Sequence, residues 1–288
     1  MTPPTLRLAL PKGRMQSKML ALLSEAGIDV QISDRGYRPI VSLAGVDAKL
    51  LKPQNIIEML HRGTRDLGFA GADWAAEKQA ELVEVLDTGL DPVRIVAAAP
   101  KGLLVDGSLP TGRPWVVASE YERLTTAWMA ERGLDATFVR TYGATEVFPP
   151  EDADVIVDNT ATGSTLRANG LAIFDEVMRS STRLYASHEA MDDPAKRSRI
   201  EHIALLLRSV INARSRVMVE VNCGPNDLEA VVAALPCMRE PTVATLHQGS
   251  GYAVKAAVPR SELAELIPQL KAAGGADIIV ASLAQIVP

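Results

Sequence analysis

Apolar and polar positions at the start of the chain follow two periodicities, which predicts strands interleaved with helices. The run LRLAL is typical of a buried strand, and after the turn PKGR the apolar residues Met19, Leu22 and Leu23 recur at helical spacing. We expect this helix over residues 15–26, and Gly27 closes it because glycine readily takes the left-handed backbone that ends helices.

The same alternation continues to about residue 75. The run IDVQI predicts the next strand, Pro53 opens a helix that ends near Gly63, and DLGFAG predicts a further buried strand followed by Asp73. Strands and helices in this order predict an α/β fold with largely parallel strands.

Residues 93–180 repeat this organisation. VRIVAAA, WVVAS, ATFVRT and DVIVD have the pattern of strands, an amphipathic helix spans 120–132, and a short helix is expected near 145–148. Ligands of open α/β sheets bind at the carboxyl ends of the strands. The segments PKGR, GADW and DNTATGST all fall at such ends, so the sequence predicts that they form one binding site.

The last 75 or so residues have a different element order. After a long helix predicted over 189–212, the segments RVMVEVN, NDLEAVVAAL, PTVATLH, GYAVKAAVP, RSELAELIPQLKAAG and ADIIVASL predict the order βαββαβ. This order is typical of ferredoxin-like domains, which are common among small ligand-binding modules.

The bulk composition narrows the class of protein. The chain has 288 residues, enough for two or three domains, and 47% hydrophobic with 23% charged residues is ordinary for a folded protein. No apolar run approaches the roughly 20 residues of a membrane-spanning helix. The start MTPPTLRLALPKGR lacks the charged-then-apolar pattern of a secretory signal, so we expect a cytoplasmic protein without a membrane partner.

Charge is unevenly distributed along the chain. The net charge of −5 argues against a nucleic-acid partner, yet residues 1–52 carry eight basic side chains and four acidic ones, a local excess of +4. This excess predicts either a cationic binding surface or an ordinary solvated face. The basic residues are Arg7, Lys12, Arg14, Lys18, Arg35, Arg38, Lys49 and Lys52, and the acidic ones are Glu25, Asp29, Asp34 and Asp47.

Cysteine and histidine offer no metal or disulfide pattern. Cys223 and Cys237 are too few for a disulfide framework or a zinc knuckle, and the four histidines lack ligand spacing. We therefore expect two reduced packing cysteines and no zinc site.

The segment DVIVDNTATGSTLRANG at 154–170 carries the most specific chemistry. A tight glycine-containing turn that leads into a helix presents backbone N–H groups to phosphate oxygens, and Thr160, Thr162, Ser164 and Thr165 add hydroxyl donors. Asp158 would repel phosphate, so we expect it to face ribose hydroxyls or the outer shell of Mg²⁺. The sequence predicts phosphosugar binding, with a plain strand-to-helix turn as the alternative.

Other candidate residues lie in the remaining loops. In PKGR, Lys12 and Arg14 predict contact with a polyanion, and Lys52 is a further phosphate candidate; a surface turn is the alternative. Asp73 and Glu146 are isolated loop acids that could equally be helix N-terminal acids. The chain lacks both GxxxxGK[ST] and GxGxxG, which disfavours P-loop nucleotide binding and a dinucleotide cofactor.

The segments LRLALPKGRM, DLGFAGADW, YGATEV and DADVIVDNTATGSTLRANGL together resemble the ATP phosphoribosyltransferase family. The tail, from VMVEVNC to ADIIVASLAQIVP, resembles the C-terminal domain of the long form. The resemblance implies two periplasmic-binding-protein-like α/β catalytic domains plus a ferredoxin-like regulatory domain. By that pattern, domain I comprises 1–94 and 184–212, domain II comprises 95–183, and the regulatory domain comprises 213–288.

The resemblance also implies an activity and a set of site residues. The family joins N1 of ATP to C1 of phosphoribosyl pyrophosphate, releases pyrophosphate and requires Mg²⁺. Lys12, Arg14, Asp158 and Glu146 would be catalytic, although adenine N1 has a free lone pair and needs no strong base. Residues expected to bind substrate are Lys52, Asp73, Thr160, Ala161, Thr162, Gly163, Ser164, Thr165 and Leu166.

The tail would bind histidine as a feedback inhibitor. Asn222, Met238 and Thr242 match family positions around that ligand, while ordinary strand-end and turn residues are the alternative. Gly251 stands where many relatives have an aromatic residue, and His247 is not expected, so the sequence assigns the effector less firmly than the reaction. The resemblance implies a homo-oligomer, active as a dimer and inhibited as a hexamer.

Three rival interpretations remain. A prephenate dehydratase pairs similar domains but would show a GPxGT-like opening and a Thr-Arg-Phe motif, whereas this chain has PKGR and Thr182-Arg183-Leu184. A non-enzymatic ligand sensor of the same fold would not need a phosphate loop. A catalytic subunit that depends on a separate regulatory partner would lack the tail at 213–288.

Overall fold

The computed structural model describes residues 5–33 and 36–287, which form two compact units. Among these residues, the first unit comprises the chain up to Ala21 together with Ile28–Ala204. The second comprises Leu22–Gly27 and the chain from Leu205 onwards. The domain boundaries expected near 94, 184 and 213 stay a prediction.

The elements of the chain as far as α7 are as follows. The strands are β1 (Leu6–Pro11), β2 (Val30–Gln31), β3 (Ile40–Val41), β4 (Val46–Leu51), β5 (Leu67–Gly71), β6 (Val83–Pro100), β7 (Trp115–Ser119), β8 (Ala136–Arg140), β9 (Val155–Thr160) and β10 (Leu171–Ala186). The helices are α1 (Gln16–Glu25), α2 (Pro53–His61), α3 (Ala72–Lys78), α4 (Glu122–Glu131), α5 (Ser164–Ala168), α6 (His188–Asp192) and α7 (Pro194–Arg214).

Eight strands of the described chain form one large sheet in the order β4-β1-β5-β10-β6-β9-β7-β8. β4, β1 and β5 are mutually parallel, as are β9, β7 and β8. Between these two sets lie the long strands β10 and β6, which are antiparallel to each other and to their outer neighbours. The predicted α/β class is confirmed, with an antiparallel centre that the alternation of elements did not indicate.

The register of the central strands brings the two parallel sets end to end. β5 runs toward Gly71, which pairs with Thr182 of β10. β9 runs in the opposite direction toward Thr160, which pairs with Arg94 of β6. Because Thr182 and Arg94 lie close together on the paired strands β10 and β6, the carboxyl ends of β5 and β9 face each other.

Several strands differ from the sequence-based expectation. The segment IDVQI contributes only the two-residue β2, paired with β3, while β1 lies between β5 and β4, and the apolar pattern did not predict β4. The strand expected around 93–99 is the buried end of the much longer β6, and no element was expected over β10. Polar residues interrupt both long strands, so neither has the uniform apolar pattern of a buried strand.

The second unit has the expected βαββαβ order. Its elements are β11 (Arg216–Cys223), α8 (Leu228–Ala234), β12 (Thr242–Thr245), β13 (Tyr252–Pro259), α9 (Leu263–Ala272) and β14 (Ala276–Ser282). The sheet order is β12-β13-β11-β14, and all its pairs are antiparallel, which confirms the ferredoxin-like arrangement. Strict alternation along β11 buries Val217, Val219 and Val221 against the two helices.

A buried carboxylate ties three separate segments of the first unit together. Asp66 precedes β5, is almost fully buried, and accepts hydrogen bonds from the backbone N–H and guanidinium of Arg7 and from Lys196 Nζ at 3.0 Å. Burial raises the pKa of Asp66, but the hydrogen bonds from Arg7 and Lys196 outweigh it and hold that pKa below its ordinary value. The ionised carboxylate therefore stabilises the fold at neutral pH.

We expect Asp66→Asn to lower the free energy of unfolding by about 2–4 kcal/mol at pH 7, because two cations lose their buried partner. The folded pKa is lowered, so this contribution is present above the unfolded pKa and is lost as the pH falls through the folded value. Urea unfolding from pH 7 to pH 3 measures it. Glu201→Gln, which removes an exposed ion pair with Arg197, should cost less than about 1 kcal/mol. A similar cost for both variants would contradict the role of Asp66.

Candidate functional site

Three adjoining cavities lie in the first unit around the strand ends that face each other. The central cavity (about 240 Å³) shares Lys12 with a basic cavity (about 420 Å³), and it shares Arg14 and Asn159 with a loop cavity (about 240 Å³). Lys12 and Lys52 follow β1 and β4, and Asp73 lies just beyond β5. The segments predicted to form one site therefore come together, as the carboxyl-end rule requires.

The loop cavity is built by the turn between β9 and α5. It is lined by Arg14, Glu146, Asp158, Asn159, Thr160, Ala161, Thr162, Ser164, Thr165 and Leu166. The Gly163 N–H donates to the Thr160 hydroxyl at 2.9 Å, and Arg167 Nη1 donates to the Thr162 carbonyl at 2.9 Å, so the turn is closed before any ligand binds.

Gly163 meets two constraints in this turn. Its φ is +74°, in the region that favours glycine, and a Cβ there would lie 3.0 Å from Arg167 Nη1. The side chains of Thr162, Ser164 and Thr165 are exposed, with the Thr162 hydroxyl 3.1 Å from that of Ser164. The turn therefore presents three hydroxyls on a fixed backbone.

Asp158 is the most perturbed acid of the loop cavity. Burial, with further contributions from the charges of Glu146 and Glu120, raises its pKa to about 6, against the hydrogen bond from the Asn159 N–H at 2.6 Å and the charge of Arg14. A carboxylate with other acids close by and little cationic compensation is disposed to bind a cation or to accept hydrogen bonds from hydroxyls.

Asp73 lies in the wall of the central cavity, with both carboxylate oxygens occupied. Ser180 Oγ donates to Oδ1 and the Tyr121 hydroxyl donates to Oδ2, each at 2.7 Å. The same Tyr121 oxygen accepts from Asn159 Nδ2 at 3.2 Å, and Asn159 Nδ2 is also 3.2 Å from Asp158 Oδ1. A chain of hydrogen bonds thus links α3 to the end of β9, where the turn that builds the loop cavity begins.

Tyr121 is a member of this network that the sequence did not predict. Burial and the charge of Asp73 raise its pKa well above the ordinary value, so the phenol stays protonated and donates to Asp73. Asn159, Glu120 and Trp74 also line the central cavity without having been singled out. A signal existed for Glu120 and Tyr121, because both directly follow the carboxyl end of β7.

The basic cavity is lined by several of the basic residues counted within residues 1–52. It is lined by Lys12, Tyr37, Arg38, Lys49, Leu50, Leu51, Lys52 and Asn55. Lys12 Nζ lies 5.0 Å from the centre of the Tyr37 ring, and Arg38 pairs with Asp47 at 3.5 Å. Asp34 and Arg35, which were included in the charge count, lie outside the described residues.

In the second unit, the three residues expected to bind histidine lie on different parts of the sheet and its loops. Asn222 lies on β11, and its Nδ2 is 3.2 Å from Asp277 Oδ2. Thr242 begins β12, which is separated from β11 by β13, and Met238 is 41% exposed. Whether these residues bind an effector stays a prediction.

Other expectations concern metals, thiols and membranes. Cys223 and Cys237 are free thiols, and burial raises the pKa of Cys223. Among residues 5–33 and 36–287, no group of three or more His, Cys, Asp or Glu side chains is arranged to hold a metal ion. In the same part of the chain, no helix has the length and apolar character needed to span a membrane.

The fold and the site together define an α/β protein whose strand ends gather cationic, acidic and hydroxyl side chains in three adjoining cavities. The family profile described as ATP phosphoribosyltransferase matches residues 52–209, and the profile described as HisG, C-terminal domain, matches residues 213–285. The chain belongs to the ATP phosphoribosyltransferase family.

Individual relatives agree with this assignment. An ATP phosphoribosyltransferase of Pelotomaculum thermopropionicum is 35% identical over 98% of this chain and 99% of its own. One from Chlorobium phaeovibrioides is 36% identical over 95% of this chain and 94% of its own. The solved ATP phosphoribosyl transferase (HisG:HisZ) complex from Thermotoga maritima is similar with a TM-score of 0.64 and 26% identity, covering 72% of this chain and 98% of that one.

Family membership decides between the rival interpretations. A prephenate dehydratase and a non-enzymatic sensor of the same fold are both excluded by the full-length match to ATP phosphoribosyltransferases. The match of 213–285 to the C-terminal domain makes this a chain of the long form. The expectation of a long-form transferase is confirmed.

Asp158→Asn should change the pH dependence of stability. Because the folded pKa of about 6 exceeds the ordinary 3.8, the ionised carboxylate destabilises the fold increasingly as the pH rises from about 4 to about 6. We expect equal stabilities for variant and wild type near pH 3.5, and a variant more stable by up to about 3 kcal/mol above pH 7.

Urea unfolding at half-unit pH steps measures this difference. The exposed Asp135→Asn is the matched control, and it should give a curve parallel to that of the wild type. Parallel curves for Asp158→Asn as well would show that its carboxyl titrates normally.

Proposed function

We propose that this chain joins N1 of the adenine of ATP to C1 of 5-phosphoribosyl 1-pyrophosphate, giving phosphoribosyl-ATP and pyrophosphate in the first step of histidine biosynthesis. The observation that carries the proposal is the closed hydroxyl turn Thr160–Thr165 beside the perturbed Asp158, in a member of this family. The cytoplasm is the expected location.

The 5′-phosphate of phosphoribosyl pyrophosphate is assigned to the loop cavity. Exposed hydroxyls of Thr162, Ser164 and Thr165 can donate to phosphate oxygens, and the turn already holds their backbone in place. Asp158 would accept from the ribose hydroxyls, because its charge disfavours direct contact with phosphate. The sugar is thereby oriented with C1 toward the central cavity.

The donor set around Asp158 fits Mg²⁺, the cation expected for this family. Mg²⁺ usually binds through one or two carboxylates together with substrate phosphates, and it keeps several waters. Asp158 and Glu146 both line the loop cavity and lie close enough for their charges to interact. When bound, the ion would neutralise charge on the departing pyrophosphate.

The residues of the chain itself bind and orient the reactants. Bond formation between N1 and C1 accompanies loss of pyrophosphate from C1, and the ribosyl centre carries positive charge in between. Lys12 and Arg14, at the junctions of the cavities, are placed to stabilise the departing anion, and Lys52 extends this positive potential. Positioning provides most of the remaining rate enhancement, and no covalent nucleophile is required.

We assign the second unit to feedback inhibition by histidine. Support comes from the match of 213–285 to the HisG C-terminal domain and from the separate ferredoxin-like core of this unit. Asn222, Met238 and Thr242 are the proposed contacts. A homo-oligomer, dimeric when active and hexameric when inhibited, completes the proposal.

Replacing both Thr162 and Thr165 with alanine should raise the KM for phosphoribosyl pyrophosphate at least tenfold, because hydrogen bonds to a charged phosphate are worth about 1.5–3 kcal/mol each. The KM for ATP should change much less. The assay follows the ultraviolet absorbance of the product with Mg²⁺ and pyrophosphatase present. Thr126→Ala, on the exposed face of α4, is the control. Unchanged kinetics in the double variant would remove the phosphate assignment.

Asn222→Ala should weaken inhibition by histidine while leaving uninhibited turnover close to that of the wild type. We expect the histidine concentration for half-inhibition to rise about tenfold, consistent with loss of one or two hydrogen bonds in the effector site. Gln269→Ala, on an exposed position of α9, should leave inhibition unchanged. Equal inhibition of all three proteins would place the effector elsewhere.

A further inference from the structure

A β-bulge lies at the point where the carboxyl ends of β5 and β9 face each other. Along the central pair, Ser180 is opposite Val93 and Thr182 is opposite Leu90, so two residues of β6, Asp91 and Pro92, face Ser181 alone. Bulges of this kind re-aim a side chain, and they are over-represented beside active sites.

Asp91 adopts an unusual backbone conformation in this bulge. Its φ is +47°, in the left-handed region that non-glycine residues rarely occupy outside turns. Such conformations are unfavourable and persist where the surrounding structure imposes them, often at ligand sites. The observed backbone directs the Asp91 side chain into the lining of the central cavity.

The two oxygens of the Asp91 carboxylate have different surroundings. Oδ1 accepts from Lys18 Nζ at 2.7 Å, while Oδ2 is buried and has no hydrogen-bond partner among the described residues. The hydroxyl of Thr182, which also lines the central cavity, is buried and unpartnered in the same way. A buried polar atom without a hydrogen-bond partner is unfavourable, so two of them on residues that line one cavity indicate a ligand that pairs with them.

The rest of the cavity restricts the chemistry of that ligand. A free carboxylate oxygen needs a donor, and it repels phosphate. Trp74 packs on the buried Tyr121, with ring centres 4.7 Å apart, and is the partly exposed aromatic side chain of the cavity lining, which suits a planar ring. Lys12, which the central cavity shares with the basic cavity, lies where a phosphate chain can leave toward a cationic surface. A planar heterocycle that bears an amine and is linked to phosphates satisfies all three requirements.

We propose that Asp91 is the specificity-determining residue for the nucleotide, with its Oδ2 accepting a hydrogen bond from the exocyclic amine of the adenine, and with the Thr182 hydroxyl as a second polar contact. This inference rests on the proposed function, which supplies ATP as the nucleotide. Recognition through the exocyclic amine leaves the lone pair of N1 free to attack C1. The base occupies the central cavity, and the triphosphate extends toward Lys12 and the basic cavity.

The test compares ATP with the triphosphate of purine riboside, which lacks the amine, in wild type and Asp91→Asn. The preference of the wild type for ATP, as a ratio of kcat/KM values, should fall about tenfold or more in the variant, in line with the worth of a hydrogen bond to a charged group. The intrinsic reactivity of N1 in the two nucleotides cancels when the two ratios are compared. An unchanged ratio would overturn the proposal.

2′-Deoxy-ATP and 3′-deoxy-ATP test the ribose as the alternative donor. If Asp91 contacts a ribose hydroxyl, Asp91→Asn should no longer lower kcat/KM with one of these analogues, but it should still lower kcat/KM with the purine riboside nucleotide. That outcome would overturn the assignment to the amine. We expect Asp91→Asn to lower kcat/KM with both deoxynucleotides.

Two control variants separate recognition from structure. Asp87→Asn changes a carboxylate on the same strand that accepts hydrogen bonds from Ser181 and Gly89, and it should preserve nucleotide preference. Lys18→Met removes the ion pair of Asp91 and keeps the free oxygen, so it too should preserve the preference. If Lys18→Met reproduced the altered preference of Asp91→Asn, the acid would serve only as an anchor for α1.

Calorimetric titration of the full chain with ATP and with purine riboside triphosphate makes the test independent of turnover. Weaker ATP binding by Asp91→Asn, with unchanged binding of the analogue, supports the proposal even if no product forms. If product forms and Asp91→Asn distinguishes the two nucleotides as well as the wild type does, this inference is refuted and the proposed function is not. Absence of product from wild type refutes the proposed function, and the two failures are therefore distinguishable.

Discussion

The pairing of β6 with β10 is the constraint on which the rest of the first unit depends. These two strands pair from Leu171 with Pro100 to Ala186 with Val83, and every other strand of the large sheet lies on one side of this pair or the other. Because β5 and β9 join the pair from opposite directions, their carboxyl ends meet near its middle. The three cavities lie there as a result of strand register.

The charges of the site are arranged in relation to this meeting point. Cations from the loops after β1 and β4 line the basic cavity, and acids around Asp158 line the loop cavity beyond the shared Arg14. Burial, together with the charges of Glu146 and Glu120, raises the energy of the ionised Asp158, as its pKa of about 6 shows. Under the proposed function, polyanionic substrates bound with a metal ion would bring opposite charges to both the cationic and the acidic parts of the site.

The sequence predicted the loops of the site more completely than the sheet that assembles them. Lys12, Arg14, Asp158 and the hydroxyl turn were recognisable because their residue types and strand-end positions carry local information. β10 was not predicted, since its apolar positions are interrupted by polar ones that line a cavity or pair with neighbours. Asp91 was not predicted either, because its place in the cavity lining depends on a bulge that forms only where two distant segments pair. A single sequence therefore indicates which loops carry reactive or charged residues. It does not indicate strand register or the side chains whose direction depends on that register.

The central pair also has a mechanical consequence. In a cleft joined by flexible linkers, the two walls move almost independently, but here both walls are attached to the same hydrogen-bonded strands. Any relative movement of the two walls would therefore twist or bend the paired strands, whose register is interrupted around Ser180 and Thr182. The backbone hydrogen bonds between β6 and β10 therefore resist changes in the shape of the site.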